Sequence, residues 1–236
     1  MQRATNWKMR VVAGVAFLFA QIFSASYIHA ENDEVDLALV LAVDCSFSVD
    51  EGEFELQMVG LGQAFQRAEI KAAIAQGNLQ RIAVSVVQWS DAASQTVALP
   101  WTIIAGDADA DEFGETLKKT PRRLAQGGTS ISSALLFSAA ALESAPSSTR
   151  RVIDISSDGR NNIGVPVNPV RDRLVSQGIT INALAIMNEW PTLDLYFQNQ
   201  VVGGPSHFVI PANDYQAYAD AIYMKLLREI TGPGVS

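Results

Sequence analysis

Cys45 is the only cysteine in the 236-residue chain, so no intramolecular disulfide and no Cys-x-x-Cys metal site can form. Histidine is almost as scarce. His29 and His207 are the two present, and neither sits in the His-Glu-x-x-His pattern of a zinc hydrolase. The sequence also lacks a Gly-x-Ser-x-Gly elbow and a Ser-x-x-Lys pair, which removes the usual frames of serine hydrolases. Basic residues number 17 against 25 acidic ones, a formal net charge of −8, with no basic run and no interleaving of aromatic and basic residues. Such a surface repels phosphate backbones and anionic headgroups, which excludes nucleic acid as a partner. With 9 Pro, 16 Gly, 48% apolar and 18% charged residues, collagen-like and wholly disordered classes are excluded as well. The longest apolar run, Val11 to Phe23, falls short of the ~20 residues of a membrane span and is interrupted by Gln21.

What is present begins with that run. Arg3, Lys8 and Arg10 precede it, and Ser24, Ala25, Ser26 and a closing Ile28-His29-Ala30 follow, the order of a cleavable signal peptide over residues 1–30. The expected mature chain, residues 31–236, is then a periplasmic or secreted protein with no membrane insertion. Cleavage takes away three basic and no acidic residues, which moves the formal net charge from −8 to −11 and leaves His207 as the one histidine. Chemistry in the mature chain must therefore rely on carboxylates and hydroxyls.

Leu37 to Val43 (LALVLAV) is a continuous apolar run of strand length, as in a strand buried on both faces of a parallel sheet. Phe54, Met58, Leu61 and Phe65 recur at helical spacing behind it, with Asp50, Glu51 and Glu53 in the first turn and Gly60 and Gly62 weakening the middle. A short helix from Glu69 to Gly77 follows. Arg81 to Trp89 and Gln95 to Leu99 read as a hairpin-like strand pair. Asp109 to Lys119 and Ser130 to Ser144 read as helices, Arg151 to Ser157 as a second buried strand. Asn168-Pro169 suggests a helix cap with proline at the first position. Strands at Thr180 to Ile186 and His207 to Ile210, and a helix from Tyr215 to Ile230, complete the series. The irregular Met187 to Ser206 connection, with Trp190, Leu193, Tyr196 and Phe197, should fold down as a short helix. Alternating strands and helices predict one α/β domain with a single doubly wound, mostly parallel sheet flanked by helices.

Three polar clusters fall at element ends: Asp44-x-Ser46-x-Ser48, Gly127-Gly128-Thr129 and Asp158-Gly159. In an open α/β sheet, ligands bind outside the carboxyl ends of strands where strand order reverses. If the strands ending at Asp44 and Ser157 are neighbours there, two carboxylates and several hydroxyls converge. Carboxylates so placed need a proton or a cation between them, and an all-oxygen set suits Mg²⁺ or Mn²⁺, with Ca²⁺ accommodated if the loops expand. Singly, Asp44 and Asp158 also fit helix caps, and Thr129 also fits the N-cap of the helix at Ser130. Cys45 should point into the core. His207 reads as a polar edge residue and Trp89 as core.

Those five residues resemble the metal-ion-dependent adhesion site of von Willebrand factor A domains and integrin inserted domains, and the resemblance extends in element order from Val35 to Ile230. It implies first-loop ligands Asp44, Ser46 and Ser48, second-loop ligand Thr129 and third-loop ligand Asp158, with some of the carboxylates acting through bound water. It also implies an open metal position for an acidic side chain of a protein partner. Leu193-Asp194-x-Tyr196, Val201-Val202-Gly203-Gly204 and Lys225-Leu226-Leu227-Arg228-Glu229-Ile230 further resemble an uncharacterised bacterial secreted branch of that family. The leading expectation is a non-enzymatic module. The alternative is a Mg²⁺-dependent phosphatase of the haloacid-dehalogenase type with Asp44 as nucleophile, although Ser46 stands where that family has a second aspartate.

Overall fold

The computed structural model describes residues 34–232, so the expected signal peptide lies outside the described residues. Strand β1 (Leu37–Asp44) is buried at every position, as a run without polar alternation requires. Its odd-numbered residues Leu37, Leu39, Leu41 and Val43 join one hydrophobic cluster, and Ala38, Val40 and Ala42 join another. The first cluster takes α1 (Glu51–Gln66), α2 (Ala68–Ala75), α3 (Asp107–Lys119) and α7 (Tyr218–Thr231). The second takes α4 (Ile131–Leu142), α5 (Val167–Ser176), α6 (Leu193–Tyr196) and the π turn Phe197–Val201.

The sheet adds β2 (Ile82–Trp89), β3 (Gln95–Ile104), β4 (Arg151–Ser157), β5 (Ile179–Ile186) and β6 (Val209–Ala212) in the order β3-β2-β1-β4-β5-β6. Every pairing is parallel except β2 with β3. The doubly wound α/β expectation therefore holds, with β1 and β4 adjacent and the switch point between their carboxyl ends.

Several boundaries differ from expectation. The edge strand β3 continues through Pro100 to Ile104, and the edge strand β6 contains Pro211, because an edge strand does not need every amide for a ladder. Asn168 is not a cap: α5 starts one residue earlier, with Pro166 at the N-cap and Pro169 in the first turn, where its missing amide leaves no bond unmade. Helix α7 starts at Tyr218, leaving Tyr215 in the preceding loop, while Tyr218, Ile222, Leu226 and Ile230 form the expected buried stripe. The glycines of α1 have a packing reason. A Cβ on Gly62 would lie 2.5 Å from the Gly114 carbonyl oxygen of α3, so these helices approach at backbone contact.

A polar seam joins β4 to the C-terminal segment on the α7 side of the sheet. Asp154 pairs with Lys225, Ser156 lies 3.5 Å from the Tyr218 hydroxyl, and Asp158, just past the strand, accepts from the Tyr215 hydroxyl at 3.0 Å. Lys225 Nζ also donates to Glu229 Oε1 at 2.8 Å, and Asn182 Nδ2 donates to the same oxygen at 2.9 Å. Two acidic groups share one ammonium in a dry environment, and burial together with Asp154 pushes Glu229 up to about 8.

Candidate metal centre

Strand β1 delivers Asp44 to the switch point fully buried. Its Oδ1 accepts the Ser46 amide at 2.6 Å and its Oδ2 accepts the Ser157 hydroxyl at 2.5 Å, so the carboxylate organises both the loop that follows it and the end of β4. Ser46 Oγ lies 3.3 Å from Ser48 Oγ, and Ser48 Oγ donates to Asp158 Oδ1 at 2.6 Å. Cys45 is buried in the core, as alternation about a tight loop requires. Helix α1 then starts from a capping box in which Asp50 accepts the Glu53 amide and Glu53 accepts the Asp50 amide. That bonding accounts for Asp50 and Glu53 as helix-start residues.

Thr129 reaches the same place from the second loop. Its amide donates to Asn162 Oδ1 at 2.8 Å and its hydroxyl accepts from Asn162 Nδ2 at 3.4 Å. A Cβ on Gly159 would stand 3.3 Å from Thr129 Oγ1, so the glycine after Asp158 is what admits this hydroxyl to the site. Ser130 occupies the N-cap position of α4 without a side-chain cap bond, and Thr129 spends its hydroxyl on Asn162 rather than on the helix. Short contacts thus run from Asp44 through Ser46 and Ser48 to Asp158, while Thr129, bonded to Asn162, stands beside Gly159 and lines the same cavity as Ser48. Ser48 is the half-exposed member, at the mouth, with the others beneath it.

Burial first, and the Asp158 carboxylate second, push Asp44 up to about 7; burial also raises Asp158, partly offset by the Ser48 and Tyr215 hydroxyls. The pair at the floor therefore calls for a compensating proton or cation. Among the described residues, no group of three or more His, Cys, Asp or Glu converges as a metal cage. A cation here would be held by two carboxylates and three hydroxyls, a hard oxygen set that fits Mg²⁺, Mn²⁺ or Ca²⁺ better than a thiophilic metal.

Four residues that the sequence reading missed hold this geometry. Ser157 binds Asp44, Asn162 binds Thr129 and Tyr215 binds Asp158. Arg122 donates to the carbonyls of Val49 at 2.8 Å, Cys45 at 2.7 Å and Ser46 at 3.3 Å, pinning the first loop to the segment before the second. Ser157 could have been found, since it directly precedes Asp158. Arg122 and Tyr215 carry no local signal, because their partners lie 57 to 77 residues away. Of the remaining expectations, Trp89 is core and His207 is exposed, its Nδ1 2.7 Å from the Gly204 carbonyl. Beside the site opens a cavity of about 660 Å³ whose walls include Phe47, Ser48, Thr129, Arg160, Glu189 and Trp190.

Solved structures share this architecture at low identity. Proximal thread matrix protein 1 from the mussel byssus, with a zinc-occupied MIDAS motif, superposes with a TM-score of 0.60 at 16% identity, over 84% of this chain and 48% of that one. The pilus adhesin SpaC from Lactobacillus rhamnosus GG, in an open conformation, gives 0.58 at 14% identity over 84% and 30%. A von Willebrand factor type A protein from Catenulispora acidiphila gives 0.56 at 16% identity over 83% and 43%. The chain thus spans less than half the length of each of these three. No curated protein matches the sequence. A family model described as "Protein of unknown function (DUF1194)" matches residues 34–234, so the chain belongs to that family, and its fold is that of a von Willebrand factor A domain.

Proposed function

We propose that the chain is an exported, non-enzymatic binding module that engages a protein partner through a divalent cation held by Asp44, Ser46, Ser48, Thr129 and Asp158. The observation that carries this reading is the single network of hydroxyls around two buried carboxylates at the switch point of the sheet. The MIDAS motif of the mussel protein, occupied by zinc, and the adhesin role of SpaC lend support. Bound there, Mg²⁺ would supply a Lewis-acidic position for an acidic side chain of the partner, with Mn²⁺ or Ca²⁺ as substitutes. The chain's own residues do the rest. Ser157 and the Ser46 amide orient Asp44, Ser48 and Tyr215 orient Asp158, and Arg122 and Asn162 fix the two hydroxyl-bearing loops.

The phosphatase alternative draws no support from the geometry. Asp44 is wholly buried with both oxygens engaged, and the residue two positions on is Ser46, which contacts Ser48 rather than acting as a second acid. Among the described residues, no helix is long and apolar enough to cross a membrane. A signal peptide over residues 1–30 would place the mature chain, from Glu31, in the periplasm or the medium.

The reading is tested by immobilising the mature protein and applying the producing cell's envelope fraction in Mg²⁺ and in chelator. The expected result is a protein retained in Mg²⁺, released by chelator, and absent from an Asp158→Ala column. Equal retention in chelator, or turnover of phosphate esters at the ~1–10³ s⁻¹ of ordinary enzymes, would count against it.

A further inference from the structure

Ten large apolar side chains among the described residues are conspicuously exposed, and five of them, Phe47, Ile163, Val165, Trp190 and Leu195, lie on or just after the three segments leaving the carboxyl ends of β1, β4 and β5. Phe47 is the most exposed of the ten at 76%, although it stands between Ser46 and Ser48 and its amide is fixed to the Gly127 carbonyl at 2.8 Å. Trp190, 44% exposed, shares the 660 Å³ cavity with Phe47. Ile163 lies against the second loop, since a Cβ on Gly128 would meet its Cγ2 at 2.9 Å. Phe47, Ile163 and Trp190 thus border the mouth of the candidate metal centre.

This apolar border is also held in shape. The Arg160 guanidinium lies 4.9 Å from the Trp190 ring centroid and 5.5 Å from that of Tyr196, and it donates to Thr192 Oγ1 at 3.0 Å. Arg160 and Glu189 are the charged residues of the cavity wall. A mature chain of formal net charge −11 repels an acidic partner at most of its surface, so attraction comes from the centre itself, from the Arg160 guanidinium in the cavity wall and from apolar contact around them. A concentration of exposed aromatic and aliphatic groups around a charged point is the layout of a recognition surface.

We propose that Phe47, Ile163 and Trp190 select the partner, a protein segment in which an acidic residue stands directly beside an aromatic or branched aliphatic one. The acidic side chain meets the cation and its apolar neighbour fills the cavity between Phe47 and Trp190. The proposal rests on the cation reading above. A lipid bilayer is the disfavoured occupant, because a net negative surface is repelled by anionic headgroups.

The test selects random displayed heptapeptides on the Mg²⁺-loaded mature chain, then measures one enriched synthetic peptide against wild type and the Phe47→Ser/Trp190→Ser variant. The expected peptides pair Asp or Glu with an adjacent Phe, Tyr, Trp, Leu, Ile or Val. The variant should lose about tenfold or more in peptide affinity, the worth of one buried aromatic contact, while its Mg²⁺ affinity by calorimetry stays within about twofold. Peptides that are acidic without an apolar neighbour, no enrichment at all, or a variant that binds peptide like wild type would overturn the role of the apolar border while Mg²⁺ binding leaves the centre standing. Absence of Mg²⁺ binding to wild type would overturn both. Mg²⁺-independent co-sedimentation with phosphatidylcholine vesicles, lost in the variant, would replace the protein segment by a membrane.

Discussion

Lys225→Met should lower the unfolding free energy by about 3–5 kcal/mol, because it leaves the Asp154 carboxylate buried without its ammonium and takes away the Nζ donor of the buried Glu229 carboxyl. For a domain of this size that is a fall of roughly 10 °C in melting temperature. The destabilisation comes from the uncompensated Asp154 charge and the stranded Glu229 carboxyl rather than from the lost ion pair, since ammonium and acidic groups all left water to form it. The triple variant Asp154→Leu/Lys225→Met/Glu229→Leu should therefore recover most of the loss. Equal damage in the single and triple variants would mean that the seam contributes through shape and not through charge. The same site has a pH signature. Glu229 holds its proton to about pH 8 in the folded state and far less tightly when unfolded, so its contribution is complete in acid and lost as pH rises through about 8. Glu229→Gln keeps the neutral form at every pH, and its denaturant midpoint should hold at pH 9 where that of wild type drops.

Addition of Mg²⁺ to the mature protein at a hundredfold excess over Kd should stabilise it by about 2.7 kcal/mol, since the three loops that would bind it come together only on folding. The corresponding rise, roughly 5–10 °C, is readable in a thermal melt. Asp44→Asn is the informative substitution. An amide oxygen can still accept the Ser46 amide, which Asp44→Ala would strand, while the charge that attracts a cation is gone. This variant should melt at the same temperature in Mg²⁺ and in chelator. Asp111→Ala serves as the control: its partner is Lys71 at 2.7 Å on the α1–α3 side, its carboxylate is half exposed, and the metal response should survive. A full Mg²⁺ shift in Asp44→Asn would move the cation away from the floor of the centre.

Much of this arrangement was legible before folding because its signals are local. An unbroken run from Leu37 to Val43 can only be buried on both faces, and the polar Asp44-x-Ser46-x-Ser48 that ends it marks the loop at the sheet's carboxyl edge. Asp158 behind Arg151 to Ser157 repeats that pattern, and Thr129 is announced by its two glycines. The residues that hold the centre together were not legible in the same way. Arg122 contacts carbonyls, which any sequence offers, and Tyr215 reads as a helix-start aromatic until the loop before α7 carries it to Asp158. Lys225 and Glu229 have ordinary helical i, i+4 spacing, which usually means a solvated face; only the meeting with Asp154 on β4 makes them core. Asn168-Pro169 misled for a related reason, since Pro166 already sets the extended entry and moves the helix start ahead of the asparagine.

Crystals grown or soaked with Mn²⁺ and measured at its absorption edge would locate the cation directly. An anomalous peak about 2.0–2.4 Å from the hydroxyl oxygens of Ser46, Ser48 and Thr129, with Asp44 and Asp158 reaching it directly or through bound water, is the predicted result. A peak elsewhere, or none at the loops after β1 and β4 at millimolar Mn²⁺, would contradict a cation-dependent binding module.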